Sequence, residues 1–211
     1  MRRLSCGVLV AWYACSGCVD PKAEFDAFAA RRQVSTDASV HDAGGDASTC
    51  TVHPGDLSGQ YLFALSVTLA PTKPIVALAN ISTSAFQNGA GFAFDAQPLS
   101  AADRRSPVGP SISFGPTLID ETGSFRAELT GLQVTGAANA VTGGDIQANV
   151  LLAGNLCHAA QFFCGTVTGN VEKPLPLDLA GSTFTFTHVD SSGTPSIRPA
   201  IDCAGDLADP L

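Results

Sequence analysis

The chain has 211 residues, with 19 acidic against 11 basic, a formal net charge of −8, 45% hydrophobic content and 14% charged residues. That balance excludes wholesale disorder, which needs low hydrophobicity and high charge. An acidic chain without basic clusters is also excluded as a nucleic-acid binder, because neutralising phosphates takes grouped Lys and Arg.

Met1-Arg2-Arg3 forms a basic opening, and LSCGVLVAWYA, residues 4–14, is an uninterrupted run of apolar or small residues. A basic start, roughly 7–15 apolar residues and small residues at a cut site make an export-signal pattern. The run is shorter than the about 20 apolar residues that a spanning helix needs. Next comes CSGC, residues 15–18. Cys-x-x-Cys pairs in metal or redox sites follow a strand and open a helix, and this pair does neither.

CSGC resembles the lipobox of bacterial lipoprotein signal peptides, which runs aliphatic, Ser or Ala, Gly or Ala, Cys. Ser16, Gly17 and Cys18 match, and Cys15 takes the aliphatic place. The resemblance implies a signal peptide over 1–17, cleavage before Cys18, and palmitate and other acyl chains on Cys18. Each buried CH₂ contributes about 0.8 kcal/mol, so several chains make attachment effectively permanent. Val19, in place of an Asp directly after the lipidated Cys, points to the outer membrane. Loss of Arg2 and Arg3 takes the 11 basic residues to 9 against 19 acidic, a net of −10. Such a body is repelled by anionic headgroups, so the expected membrane partner is reached through the anchor.

Residues 18–49 follow the cut. VDPKAEFDAFAARRQ has helical spacing, with Phe25, Phe28 and Ala29 on one face and Arg31-Arg32 at the end that the helix dipole favours. VSTDASVHDAGGDAST, residues 34–49, is too poor in apolar groups to offset its ordering entropy and reads as a disordered tether. His41 within it reads as a solvated linker histidine.

From Cys50 to Leu211 the periodicity is that of strands. In YLFALSVTLA, Phe63, Leu65, Val67 and Leu69 share one face and Ala64, Ser66 and Thr68 the other, a half-buried alternation. PIVALANIS follows, and Asn88-Gly89 in FQNGAGFAF is a hairpin signal. SAADRRSPVGP, residues 100–110, reads as a solvated, charged connector. Asp120-Glu121 before Gly123 reads as a turn. GSFRAELTG points Phe125, Ala127 and Leu129 inward; GGDIQANVLLAG, FFCGTVTGNV and GSTFTFTHV continue the alternation, punctuated by Gly143-Gly144 and Gly169-Asn170. About eight short strands with turns every 8–12 residues predict an all-β domain, a single antiparallel barrel or sandwich.

Cys6 and Cys15 leave with the signal and Cys18 takes lipid. Cys50, Cys157, Cys164 and Cys203 remain, an even number in an oxidising compartment where disulfides persist. Four cysteines allow three pairings. Cys157–Cys164 is favoured because CHAAQFFC closes a short loop, and Cys50–Cys203 because the two bracket the domain. His158 beside Cys157 lacks the ligand spacing of known zinc sites, and neither a metal nor a cofactor is expected.

No G-x-S-x-G, H-E-x-x-H, P-loop, dinucleotide fingerprint or EF-hand loop is present, so no enzyme is expected. His53, His158 and His188 are the histidines of the domain, and His188 shares a face with Phe184 and Phe186. Phe184, Phe186 and His188 are the candidate ligand-facing residues. Trp12 and Tyr13 leave with the signal, which leaves Tyr61 alone among the flat amphipathic platforms that sugar binding uses, so carbohydrate binding is disfavoured. DLSGQY, residues 56–61, is similar to the Gly-x-Trp opening of lipocalins, with Tyr61 at the Trp position. That implies a ligand-holding barrel, on six residues only. The expected role is a non-catalytic structural or interaction module with a protein partner; the alternative is a binder of a small apolar ligand. An inward Phe fills a core or lines a cavity with the same alternation, so the sequence leaves the two open.

Overall fold

The computed structural model describes residues 57–86, 89–156, 161–190 and 198–211. Cys18, Cys50, Cys157, His41, His53, His158, the predicted helix and the predicted tether lie outside the described residues. Residues 49–211 belong to one compact unit.

The strands are β1 (Gly59–Ser66), β2 (Ile75–Phe86), β3 (Gly89–Pro98), β4 (Ile112–Ile119), β5 (Ser124–Val134), β6 (Ile146–Asn155), β7 (Phe162–Lys173), β8 (Leu177–Asp178) and β9 (Ser182–His188). All pairings are antiparallel: β1 to β7 run as a meander, and β9 then pairs with both β7 and β1. The sheet therefore closes on itself as an eight-stranded barrel, with β8 as a short addition beside β7. Closure leaves no edge to template aggregation. It also decides between the two predicted all-β architectures in favour of the barrel. Asn170↔Asp178 and Val167↔Ser182 show why β8 is separate. β8 and β9 are one returning strand, broken at residues 179–181, where Gly169 has φ 116° and a Cβ there would lie 2.1 Å from Asn149 O. Gly169-Asn170 thus marks an irregularity inside β7, where the sequence predicted a break between strands.

The inward face follows the expected alternation. Phe63, Leu65 and Val67 enter the barrel from β1 and the segment after it, and Phe125 and Ala127 enter from β5. β1 ends at Ser66, so Leu69 falls beyond the strand and is 62% exposed. The predicted half-burial of β1 is corrected, because its outward Leu62, Ala64 and Ser66 are buried too. Leu62 packs with Val76 and Leu99 in a second small cluster outside the barrel. The Asn-Gly hairpin closes with Phe86 paired to Gly89, which puts the glycine in the first cross-strand pair.

Residues 198–211 supply the outer cover of β9. Thr183 and Thr185 hydroxyls donate to the carbonyls of Ile201 (2.6 Å) and Ala200 (2.7 Å). Thr72 Oγ1 donates to Asp209 Oδ2 at 2.7 Å, which fastens the end of the chain to the β1–β2 loop. Cys164 is disulfide-bonded to Cys203, with Cα atoms 5.4 Å apart. That bond replaces both favoured pairings, Cys157–Cys164 and Cys50–Cys203. The reason is geometric: Cys164 pairs with Thr185 on the outer wall, where the C-terminal segment is held by the threonines. Arg104 is likewise corrected from solvated connector to buried anchor. It is 3% exposed at φ 51°, and its Nη1 donates to Asp209 O at 2.7 Å.

Candidate functional site

The two ends of the barrel differ. The end where β1 begins and β9 finishes is packed with rings. Phe163 stacks on Phe186 at 4.6 Å between centroids, Phe63 lies 4.8 Å from Phe186, and Phe92 lies 5.0 Å from Phe125. Two facing glycines make room for this: a Cβ on Gly154 or Gly165 would come within 2.9 or 2.7 Å of the Phe184 ring. Tyr61 joins the cluster, 1% exposed, and burial raises its phenol pKa because the charged form would lose its water.

The other end is hollow. Above a floor of Phe63, Phe94 and Leu152 lies a void of about 80 Å³. Its walls include Ala77, Ala96, Ala148, Val150, Leu129 and Leu132, and no polar atom contributes to its lining. Three inward alanines stand where the packed end carries phenylalanines, which leaves the space. Leu129 and Leu132 both reach it because β5 bulges between them, with Gly131 at φ 67° donating its N–H to Asn149 Oδ1 at 2.8 Å.

A second chamber of about 170 Å³ adjoins the first, and Val67, Ile75, Ile146 and Val171 line both. Its outer lining includes Leu69, Val141, Leu175 and Leu177 together with Pro174 and Pro176. The polar residue closest to function here, Asn139, is committed locally. Its Nδ2 donates to Thr142 Oγ1 (2.6 Å) and Gly144 O (2.8 Å), while its Oδ1 accepts from the Val141 and Thr142 N–H groups. Those bonds shape the loop of residues 139–144 that walls one side of the chamber.

The candidate ligand-facing residues divide unequally. Phe184 and Phe186 point into the barrel with no exposure, but they build the ring cluster and not the walls of the void. His188 closes the packed end, edge-on to Tyr61 at 5.2 Å. Its Nδ1 is 3.5 Å from Asp190 Oδ1, a distance of weak electrostatic contact and not of a well-formed hydrogen bond, and that carboxylate is 82% exposed. A rim histidine packed on a tyrosine accounts for this geometry. Among the described residues no group of three or more His, Cys, Asp or Glu is arranged to hold a metal ion. Asp120 sits in the β4–β5 turn as expected, its Oδ1 accepting from the Thr122 and Ser124 N–H groups.

The sequence reading missed the wall residues. The usable signal was the inward alanines within apolar strands, at 77, 96 and 148. Their shared level depends on strand register, which couples positions far apart in the chain.

No family model, curated protein or solved structure matches this chain.

Proposed function

We propose that this is an exported, lipid-anchored envelope protein whose barrel binds one small apolar molecule, or the apolar part of a larger one. One observation carries the binding role: an unfilled chamber lined without a polar atom, continuing into a second that reaches the barrel end. Eight-stranded barrels have an interior just wide enough to be filled by side chains or to hold one small ligand. An apolar cavity of about 150 Å³ stays dry and admits benzene. The inner void is smaller than that and the outer one slightly larger, so a ring or a short alkyl segment is the fitting size class. With no polar partner inside, any head group of the ligand would stay at the mouth, since a buried unpaired polar group costs about 1–3 kcal/mol.

The envelope setting is supported by the Ser16-Gly17-Cys18 match and by the Cys164–Cys203 bond, a feature of oxidising compartments. Metabolic labelling with palmitate tests it: the wild type should carry label and Cys18→Ser should not. Label that persists in Cys18→Ser would remove the anchor from the proposal.

The binding test is titration with 1-naphthylamine, a compact uncharged aromatic whose emission shifts to shorter wavelength in apolar surroundings. Ala148→Leu adds three carbons to the chamber wall and should weaken binding at least about tenfold, the equivalent of about 1.4 kcal/mol. Leu118→Ala, on the outer wall, should bind as the wild type does. Equal binding by all three proteins, or none by the wild type, would sink the reading.

A further inference from the structure

We infer that the open end of the barrel is a lipid-docking surface, whose occupant is a phospholipid bilayer. The inference rests on the binding reading, since it takes the chamber mouth as the route by which an apolar ligand enters.

Leu69 and Leu175 stand on two different loops, between β1 and β2 and between β7 and β8. They are 62% and 66% exposed, among the most exposed large hydrophobic residues described. Both also line the outer chamber, which is apolar apart from the side walled by Asn139 and Thr142, so their apolar surface continues into the barrel. Exposed leucines on a chamber rim lose water contact only if something apolar covers them.

The chemistry of the rim selects a bilayer over a protein. Protein interfaces are enriched in aromatic residues and Arg at their buried centre, whereas this rim is aliphatic and proline-rich. Lys73 and Lys173, the two lysines of the described residues, are exposed on or beside the same two loops. Lysine at that position lets the stem lie along apolar surface while the ammonium reaches headgroup oxygens. Asp145, Glu172 and Asp178 near the same end, with Asp209 held at Thr72, outweigh that charge, so insertion of the leucines must supply the affinity, and docking should persist at high salt.

Reach is no obstacle. Leu57 lies at the packed end, and Cys18 is about 40 positions earlier, a contour of roughly 130 Å, several times a strand of eight residues. A lipid on Cys18 therefore leaves the mouth free to face the same membrane.

The test uses the full lipidated chain reconstituted in zwitterionic phosphatidylcholine vesicles with brominated acyl chains, which quench tryptophan on contact. The native chain has a single Trp, Trp12, within the expected signal, so any background is common to all variants. Leu175→Trp should emit at shorter wavelength and lose most of its emission to bromine, in low and high salt alike. Leu118→Trp, 59% exposed on β4 toward the packed end, should remain unquenched. Adding Leu69→Asp to Leu175→Trp should abolish the quenching. An unquenched Trp at 175 overturns the inference, whether red-shifted in water or blue-shifted because the barrel's own chamber or a second copy of the chain covers it. Naphthylamine binding by Cys18→Ser in lipid-free buffer separates the failures: binding there without quenching in vesicles refutes docking alone, and quenching without binding refutes the ligand site.

Discussion

The two halves of this barrel are built by the same strands with the same alternation, yet one is solid and the other hollow. β1 and the residue after it show the contrast: Tyr61 reaches into the ring cluster, Phe63 forms the boundary, and Leu65 and Val67 line the void. β6 shows it in reverse, with Gly154 yielding space to the Phe184 ring and Ala148 leaving space empty. Alternation fixes which way a side chain points, and side-chain volume summed around one level of the barrel fixes whether that level is filled. In the packed half, glycine and phenylalanine offset each other. In the open half, above the Phe63 and Phe94 floor, alanine faces residues no larger than leucine, and the sum falls short.

If that contrast is right, truncation should cost much more in the solid half. Phe186 has no exposure and contacts rings on several strands. Phe186→Ala should lose about 3–5 kcal/mol, the range for a large aromatic removed from a core that cannot collapse. Val150→Ala removes two carbons beside an existing void, and at about 0.8 kcal/mol per CH₂ should cost about 1.5 kcal/mol. Urea unfolding of both variants gives the comparison. Similar losses would mean that the void closes in solution and that the halves are packed alike.

The same contrast explains what was legible in the sequence. Strands with clean alternation, such as β1, β5 and β9, and the turn at Asp120 are local patterns and emerge without a structure. β4 lacks such a pattern, because Gly115-Pro116 interrupts its alternation and its pairing with β3 is irregular between Phe92 and Phe94. The Cys164–Cys203 bond and the burial of Arg104 have no local signature, for one shared reason: both depend on where residues 198–211 lie on the outer wall. Nothing in the period of a strand says what covers its outward face. Similarly, Phe184 and Phe186 drew attention as large inward residues, but a binding chamber in a closed barrel is marked by small ones. Their levels become comparable only once register is known.

The smallest predicted effect separates the halves by titration. The open chamber's inner lining carries no ionisable group, so probe binding there should hold steady from neutral to mildly alkaline pH. The solid half contains Tyr61, whose phenol pKa burial raises above 10.0. In the unfolded chain this group loses its proton near about pH 10, whereas the folded protein retains it. Above that pH the folded state binds more protons, so the stability associated with the neutral phenol declines as pH rises. In a chain cleaved before Cys18, Tyr61 is the sole tyrosine, and near-ultraviolet phenolate absorbance reports it alone. The absorbance should stay silent through the ordinary tyrosine range and appear together with unfolding, and Tyr61→Phe should flatten the alkaline decline. A smooth titration at the ordinary value in the folded protein would mean that water reaches the ring cluster, and the end of the barrel taken as sealed would then be the more open one.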